Sequence, residues 1–368
     1  MKFKDISRKY ISRFAKVSAC GFSVCILFKL IAMASPAFAD FFNRYVSSLF
    51  RATAAYVTSV LPFSLGEAII IMMIPLAAIY LTYCAVCVTK SGRLPRHIFN
   101  LIGVICTLLS LFIINFSIAY DCTPMEDKAN LDTKNLSTAD IFNACVTVLE
   151  ELDDLESSIV RDKNGAAVMP YSFSEMSKKL NASYEKLYGE YKFLSPLGVA
   201  PKRIVLSKPM TYTGITGIYT FFTGEANVNM NFPDYAVTFT AAHEMAHQRG
   251  VAPEDEANFV AFLVCYTSDD PYLRYCALVE IANYLSNSLY YADEELFYEV
   301  SEHFSNNILT EYRLYSSGFA PYSDSVVGEV SETVNDTYLK SQGQAEGTAS
   351  YGLVSELAAA YILGNYKR

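Results

Sequence analysis

Histidine is scarce in this chain, and so is positive charge in its larger part. The 368 residues include only four His. Beyond residue 119 there are 17 Lys and Arg against 35 Asp and Glu, a net charge of −18. Such a segment is a poor partner for nucleic acid or for an anionic lipid surface. None of the nine Cys forms a CxxC pair outside the apolar segments, which argues against a cysteine-ligated zinc site. No internal repeat and no low-complexity linker breaks residues 121–368, so they read as one domain with a substantial core. A transporter pathway is not indicated either, because Lys29 is the only charge within the interiors of the apolar runs.

Three long apolar runs are present, at residues 17–36, 67–88 and 99–119. Each is close to the twenty or so residues that cross a hydrocarbon core. Lys29 weakens the first, and Pro75 in the second is tolerable in a membrane helix. Residues 1–119 hold twelve Lys and Arg against three Asp and Glu, a net charge of +9. Lys2, Lys4, Arg8, Lys9, Arg13 and Lys16 precede the first run, and Lys90, Arg93 and Arg96 lie between the second and third. The positive-inside rule then places the N-terminus in the cytoplasm and the domain after residue 120 outside it. Residues 41–66 are too polar to span and are expected along the outer interface. Ser35-Pro36-Ala37-Phe38-Ala39 resembles a signal-peptidase site, an alternative in which the first run is removed. Cys20, Cys25, Cys84, Cys87 and Cys106 read as packing residues in or beside the spans. Cys122, Cys145, Cys265 and Cys276 fall outside, where disulfides can form.

Two of the four His occur in His243-Glu244-Met245-Ala246-His247, an HExxH pattern. On a helix, positions i and i+4 share a face, so both imidazoles can bind one metal ion. Glu244 is then placed to act as general base on a metal-held water. Gly250 predicts the helix stop, and Pro253 is expected to open a second helix from its N1 position with Glu254, Asp255 and Glu256 in the first turn. These acids are the candidates for the third ligand. The segment Glu254-x-x-Ala257-Asn258 looks like the gluzincin arrangement, in which an Asp or Asn four residues after the ligand Glu orients a ligand His. Glu254 is therefore preferred, Glu256 is the alternative and Asp255 comes last, since acids at a helix start also simply complement its dipole. The gap from His247 is shorter than in thermolysin-like enzymes.

Residues 214–230 are rich in Thr, aromatic and β-branched types and punctuated by Gly, which predicts a hairpin. Asn227 and Asn229 resemble the Asn-Ala segment of the gluzincin edge strand, along which a peptide can add. Ser137 to Asp140 and Ser172 to Glu175 read as capping boxes. Helical patterns run over 271–291, 293–316, 325–341 and 348–364. In the C-terminal block, Tyr338 and Tyr351 are candidates to stabilise an oxyanion. His303 reads as a surface residue.

The HEMAHQRG and PEDEANF stretches, the Thr-Gly-Glu-Ala-Asn-Val-Asn strand and the Tyr-Leu-Lys…Ser-Tyr block resemble an uncharacterised family of bacterial membrane proteins, a domain of unknown function. That resemblance implies N-terminal spans and an outer zinc-metallopeptidase-like domain, and it supplies no substrate. The expectation is thus a mainly α protein with a small β-sheet: a membrane module at 1–120 with three transmembrane helices, then a zincin-like α+β domain at 121–368. Zn2+ would sit on His243, His247 and Glu254, and the partners would be the bilayer and a peptide or protein outside the cytoplasm. The competing expectation is a receptor or scaffold whose zinc site is structural or vestigial.

Overall fold

A computed structural model describes residues 11–88, 94–347, 353–364 and 367. The chain is mainly helical with a three-stranded sheet, and it divides into two compact units. One unit comprises residues up to Cys122 together with Thr220–Glu225. The other comprises Thr123–Tyr219 and the residues from Ala226 onward.

The first unit contains three 22-residue stretches long and apolar enough to cross a membrane, Arg13–Ala34, Leu65–Val86 and Leu94–Asn115. Its main helices are α1 (Arg13–Ala34), α2 (Ser48–Ser59), α3 (Leu65–Tyr83) and α4 (Leu94–Asn115). Both α1 and α4 start earlier than the apolar runs; Ser12 caps α1 by accepting the N–H of Ala15. The first helix stops at Ser35, whose extended backbone precedes Pro36. Proline disfavours helical backbone in the residue before it and readily opens a helix. After α4 the chain tightens into a 3-10 turn, Ser117–Asp121. That turn resolves the charge within the first run: Lys29 Nζ donates to Asp121 Oδ2 at 2.6 Å and to Ser117 O at 2.9 Å.

The polar stretch before α3 is also helical. Its Arg51 is 1% exposed and donates to the carbonyls of Asn115 and Asn43, each at 3.2 Å. The loop Thr220–Glu225 is seated in the same unit. Phe221 packs edge-on against Phe112 at 5.3 Å, and Asn115 Nδ2 donates to Phe221 O. Glu225, 2% exposed, accepts the backbone N–H groups of Leu65 and Gly66 at 3.0 and 2.7 Å. These are unsatisfied donors at the start of α3, where an anion is favoured by both hydrogen bonding and the helix dipole.

The second unit is built around one core. Helices α5 (Thr138–Leu155) and α6 (Phe173–Glu190) both begin with complete capping boxes, as the sequence predicts. The sheet follows: β1 (Lys202–Arg203), β2 (Gly217–Thr220) and β3 (Glu225–Val228), in the order β1-β3-β2. The first strand pairs parallel to the third, with Lys202 opposite Asn227. Next come α7 (Asp234–Gln248), α8 (Glu254–Tyr266) and α9 (Pro271–Ala292). Every residue of α7 after Asp234 is buried. A helix enclosed on every side is a core element, so the polar side chains it carries, His243, Glu244 and His247 among them, are held out of water. Ala241, Ala242 and Ala246 on α7, and Ala257 and Ala261 on α8, are fully buried small residues between packed helices.

The predicted helix 293–316 is two helices, α10 (Glu294–Ser301) and α11 (Asn306–Ser323). Ser305 is the reason: its side chain accepts the N–H of Ile308 and starts a new helix. Beyond it lie α12 (Val326–Ser341) and α13 (Val354–Ile362). Cys145, Cys265 and Cys276 are buried thiols rather than bridged, and half-buried Cys122 accepts from Asn43 Nδ2 at 3.6 Å. Burial pushes the Cys145 thiol up to about 12, which keeps it unreactive.

Candidate metal centre

The geometry starts from how α7 ends. Gly250 has φ +100°, and its N–H reaches His247 O at 3.0 Å while Val251 N–H reaches Ala246 O at 3.2 Å. This is the Schellman pair of bonds, and it requires a left-handed residue that glycine supplies without strain. Arg249, 1% exposed, locks the same turn. It donates to Met245 O and Asn181 Oδ1 and lies 3.9 Å over the Tyr184 ring. The chain therefore turns back at once and starts α8 beside the end of α7. Pro253 serves as the N-cap rather than as N1, so Glu254 is the first helical residue.

That turn brings His243, His247 and Glu254 together, all buried, with one candidate ligand atom from each within 4.8 Å of the others. Glu254 Oε2 is 3.1 Å from His243 Nε2 and 3.4 Å from His247 Nε2. Two donors on a tetrahedral zinc at zinc-ligand bond lengths are separated by about 3.4 Å, so this spacing fits such an ion. The imidazole rings stand perpendicular, 4.6 Å apart.

The other ring nitrogens fix the tautomers. His247 Nδ1 is 2.7 Å from Val251 O. A carbonyl only accepts, so Nδ1 carries a proton and Nε2 is the atom left to face a metal. His243 Nδ1 is 2.7 Å from Asn258 Oδ1, and Asn258 Nδ2 donates to Tyr284 Oη at 3.3 Å. The amide is thereby oriented with its oxygen toward His243, which also leaves Nε2 to a metal. Outer contacts of this kind fix ring orientation and raise ligand basicity.

Glu244 occupies the same buried region, 4% exposed, and its Oε2 has no hydrogen-bond partner. Burial pushes its carboxyl up to about 7 against the opposing pull of His243 and His247, while the Tyr219 N–H holds it from β2. The strand passes very close: a Cβ on Gly217 would lie 2.6 Å from both Glu244 Oε1 and Thr240 Cγ2. Glycine is needed there for proximity. Burial opposes charge on His247, but Glu254 and then Glu244 hold its imidazole up to about 9. Burial works against the Glu254 carboxylate too, yet the two His hold it well below the usual range.

The remaining candidates are placed elsewhere. Glu256 is not brought to the cluster, because its Oε1 accepts the N–H of Met125 at 2.8 Å and caps the short helix Met125–Lys128. Asp255 accepts from Gln344 Nε2 at 3.3 Å, so the C-terminal block does reach the residue next to Glu254. Tyr338 is half-buried on α12. Tyr351 lies outside the described residues. Asn227 sits on the middle strand rather than the edge, and its side chain donates to Ile218 O, while that of Asn229 donates to Ile215 O. Both pin the hairpin. His303 is exposed. Sequence reasoning missed Tyr284, Arg249, Gly217 and the Tyr219 N–H. None carries a local signal, since each acts through contacts distant in the chain.

A model of the family described as a protein of unknown function, DUF3810, matches residues 41–359. The chain belongs to that family. No curated protein and no solved structure matches it.

Proposed function

We propose that this protein is a membrane-anchored zinc metallopeptidase that hydrolyses peptide bonds outside the cytoplasm, with a zincin-like second unit. The observation that carries the reading is the buried His243–His247–Glu254 cluster with a carboxylate oxygen of Glu244 left without a partner beside it. Two His and one Glu are a donor set that leaves zinc an open fourth position. Bound zinc supplies a lowered water pKa and a polarised carbonyl. Glu244 takes the proton of the attacking water on its unpartnered oxygen and returns it to the departing amine. The Tyr219 N–H keeps the other oxygen in place. Asn258 and Val251 hold the two imidazoles in the tautomers that zinc needs. As the terminal strand of the sheet, β2 offers an edge on which an extended peptide can add beside Glu244. The charge asymmetry about residue 120 supports a cytoplasmic N-terminus and an outer catalytic unit.

The burial of all three ligands favours a second reading, a zinc-stabilised receptor without turnover. One experiment separates them. Full-length protein in detergent is assayed for zinc content and for cleavage of a peptide library, alongside Glu244→Gln. The peptidase reading expects about one zinc in both proteins and a loss of roughly 10²–10⁴ in rate in the variant. Zinc in both without cleavage by either supports the receptor. Failure to take up zinc overturns both readings.

A further inference from the structure

The first unit contains a groove of about 540 Å³, lined by Ser12, Phe14, Tyr80, His97, Asn100, Leu101 and Val104. It lies where α1 begins, α3 ends and α4 begins, at one end of the three apolar helices. Its walls divide by chemistry. Phe14, Leu101 and Val104 are apolar and 45–52% exposed along the helix surfaces, whereas Ser12, Asn100 and His97 are polar and half-buried. The polar side is ordered: Ser12 Oγ hydrogen-bonds Asn100 Oδ1, and Tyr80 Oη is 3.1 Å from His97 Nδ1. The apolar side is rigid, because α1 and α4 cross tightly at Gly103, where a Cβ would meet the Phe14 ring at 2.9 Å.

Among the described residues, the charges at this end are all positive. Arg13 sits between the lining residues Ser12 and Phe14, and Arg96 precedes His97. Lys16 follows one turn along α1, and all three cations are exposed. Among the described residues of these helix ends there is no Asp or Glu. An apolar floor and a polar wall, with exposed cations on residues next in sequence to the lining, complement an amphiphile with an anionic head. Basic pockets between transmembrane helices take phospholipid headgroups in this way. A free phosphate would use the cations but not the floor, and a neutral lipid the reverse.

We infer that this groove is a binding site for one anionic phospholipid, with an acyl chain against Phe14, Leu101 and Val104 and its phosphate held by Arg13 and Arg96. The test uses the full chain in nanodiscs containing equal phosphatidylglycerol and phosphatidylcholine, followed by native mass spectrometry of the protein released from them. One phosphatidylglycerol per chain should be retained in preference to phosphatidylcholine. Arg13→Gln and Arg96→Gln should each weaken that preference about fivefold, the value of roughly one cation near a lipid headgroup. Val104→Phe, which fills the groove, should remove the retained lipid. The arginines are exposed, so their variants stay informative even if Val104→Phe fails to fold. Equal retention of the two lipids overturns the site. So does unchanged retention in both arginine variants, or displacement of the lipid by millimolar inorganic phosphate.

Discussion

Zinc binding to this protein should release close to one proton per metal at pH 7. In the metal-free protein His247 is held up to about 9, because Glu254 lies 3.4 Å away and Glu244 adds to its pull. At pH 7 a group titrating near 9 is roughly 99% protonated. Zinc takes the neutral imidazole, so the proton must leave. Apparent affinity should therefore climb about tenfold per pH unit from 7 to 9, about a hundredfold in all, and then flatten. Calorimetric titration of the full chain in buffers of different ionisation enthalpy counts the protons directly, and chelator competition gives the affinity. No proton release, or an affinity flat between pH 7 and 9, would refute the reasoning. Stability follows the same signs. His247 has a folded value raised from 6.5, so its contribution is complete below 6.5 and is lost as pH rises through about 9. The Glu254 value is lowered from 4.5, so its contribution is present above 4.5 and is lost as pH falls. The metal-free pair thus stabilises most between 4.5 and 6.5. Added zinc should raise the melting temperature more at pH 8 than at pH 6.

Three other outcomes are expected. Asn258→Ala removes the acceptor that orients His243 and should weaken zinc about 10–100-fold, measured by the same chelator competition. Gly217→Ala forces a methyl group against Glu244 and Thr240; zinc content should persist while peptide cleavage falls at least about tenfold, and wild-type turnover would show that the strand yields instead. Asp121→Asn leaves Lys29 without its carboxylate partner and should cost about 1–3 kcal/mol in detergent melts, with Lys29→Met/Asp121→Asn recovering part of the loss.

What the chain disclosed in advance were features written in local patterns. The HExxH spacing, Gly250, the two capping boxes and the apolar runs each need only a few neighbouring residues, and each is found in the fold. The pairing of Glu254 with Asn258 was readable because both lie within two turns of one helix. Glu256 was not separable from Glu254 by composition; Met125, more than a hundred residues earlier, decides between them. The break at Ser305 was obscured because apolar spacing continues across it while the cap does not. Tyr338 carries no signal for its depth, since a half-buried tyrosine packs well with or without a chemical role.

The loop Thr220–Glu225 has a consequence for anyone who cuts this protein in two. A soluble version beginning after Cys122 keeps the loop and discards its socket. Phe221 then loses Phe112, and the Glu225 carboxylate loses both N–H donors at the start of α3. The freed segment lies between β2 and β3, only a few residues from the strand that touches Glu244. Two adjacent aromatics and an unclamped hairpin are a target for proteases and a nucleus for aggregation. A trimmed fragment that expresses well yet cleaves nothing would be a damaged sample, and the intact chain is the proper unit for crystallisation and assay alike.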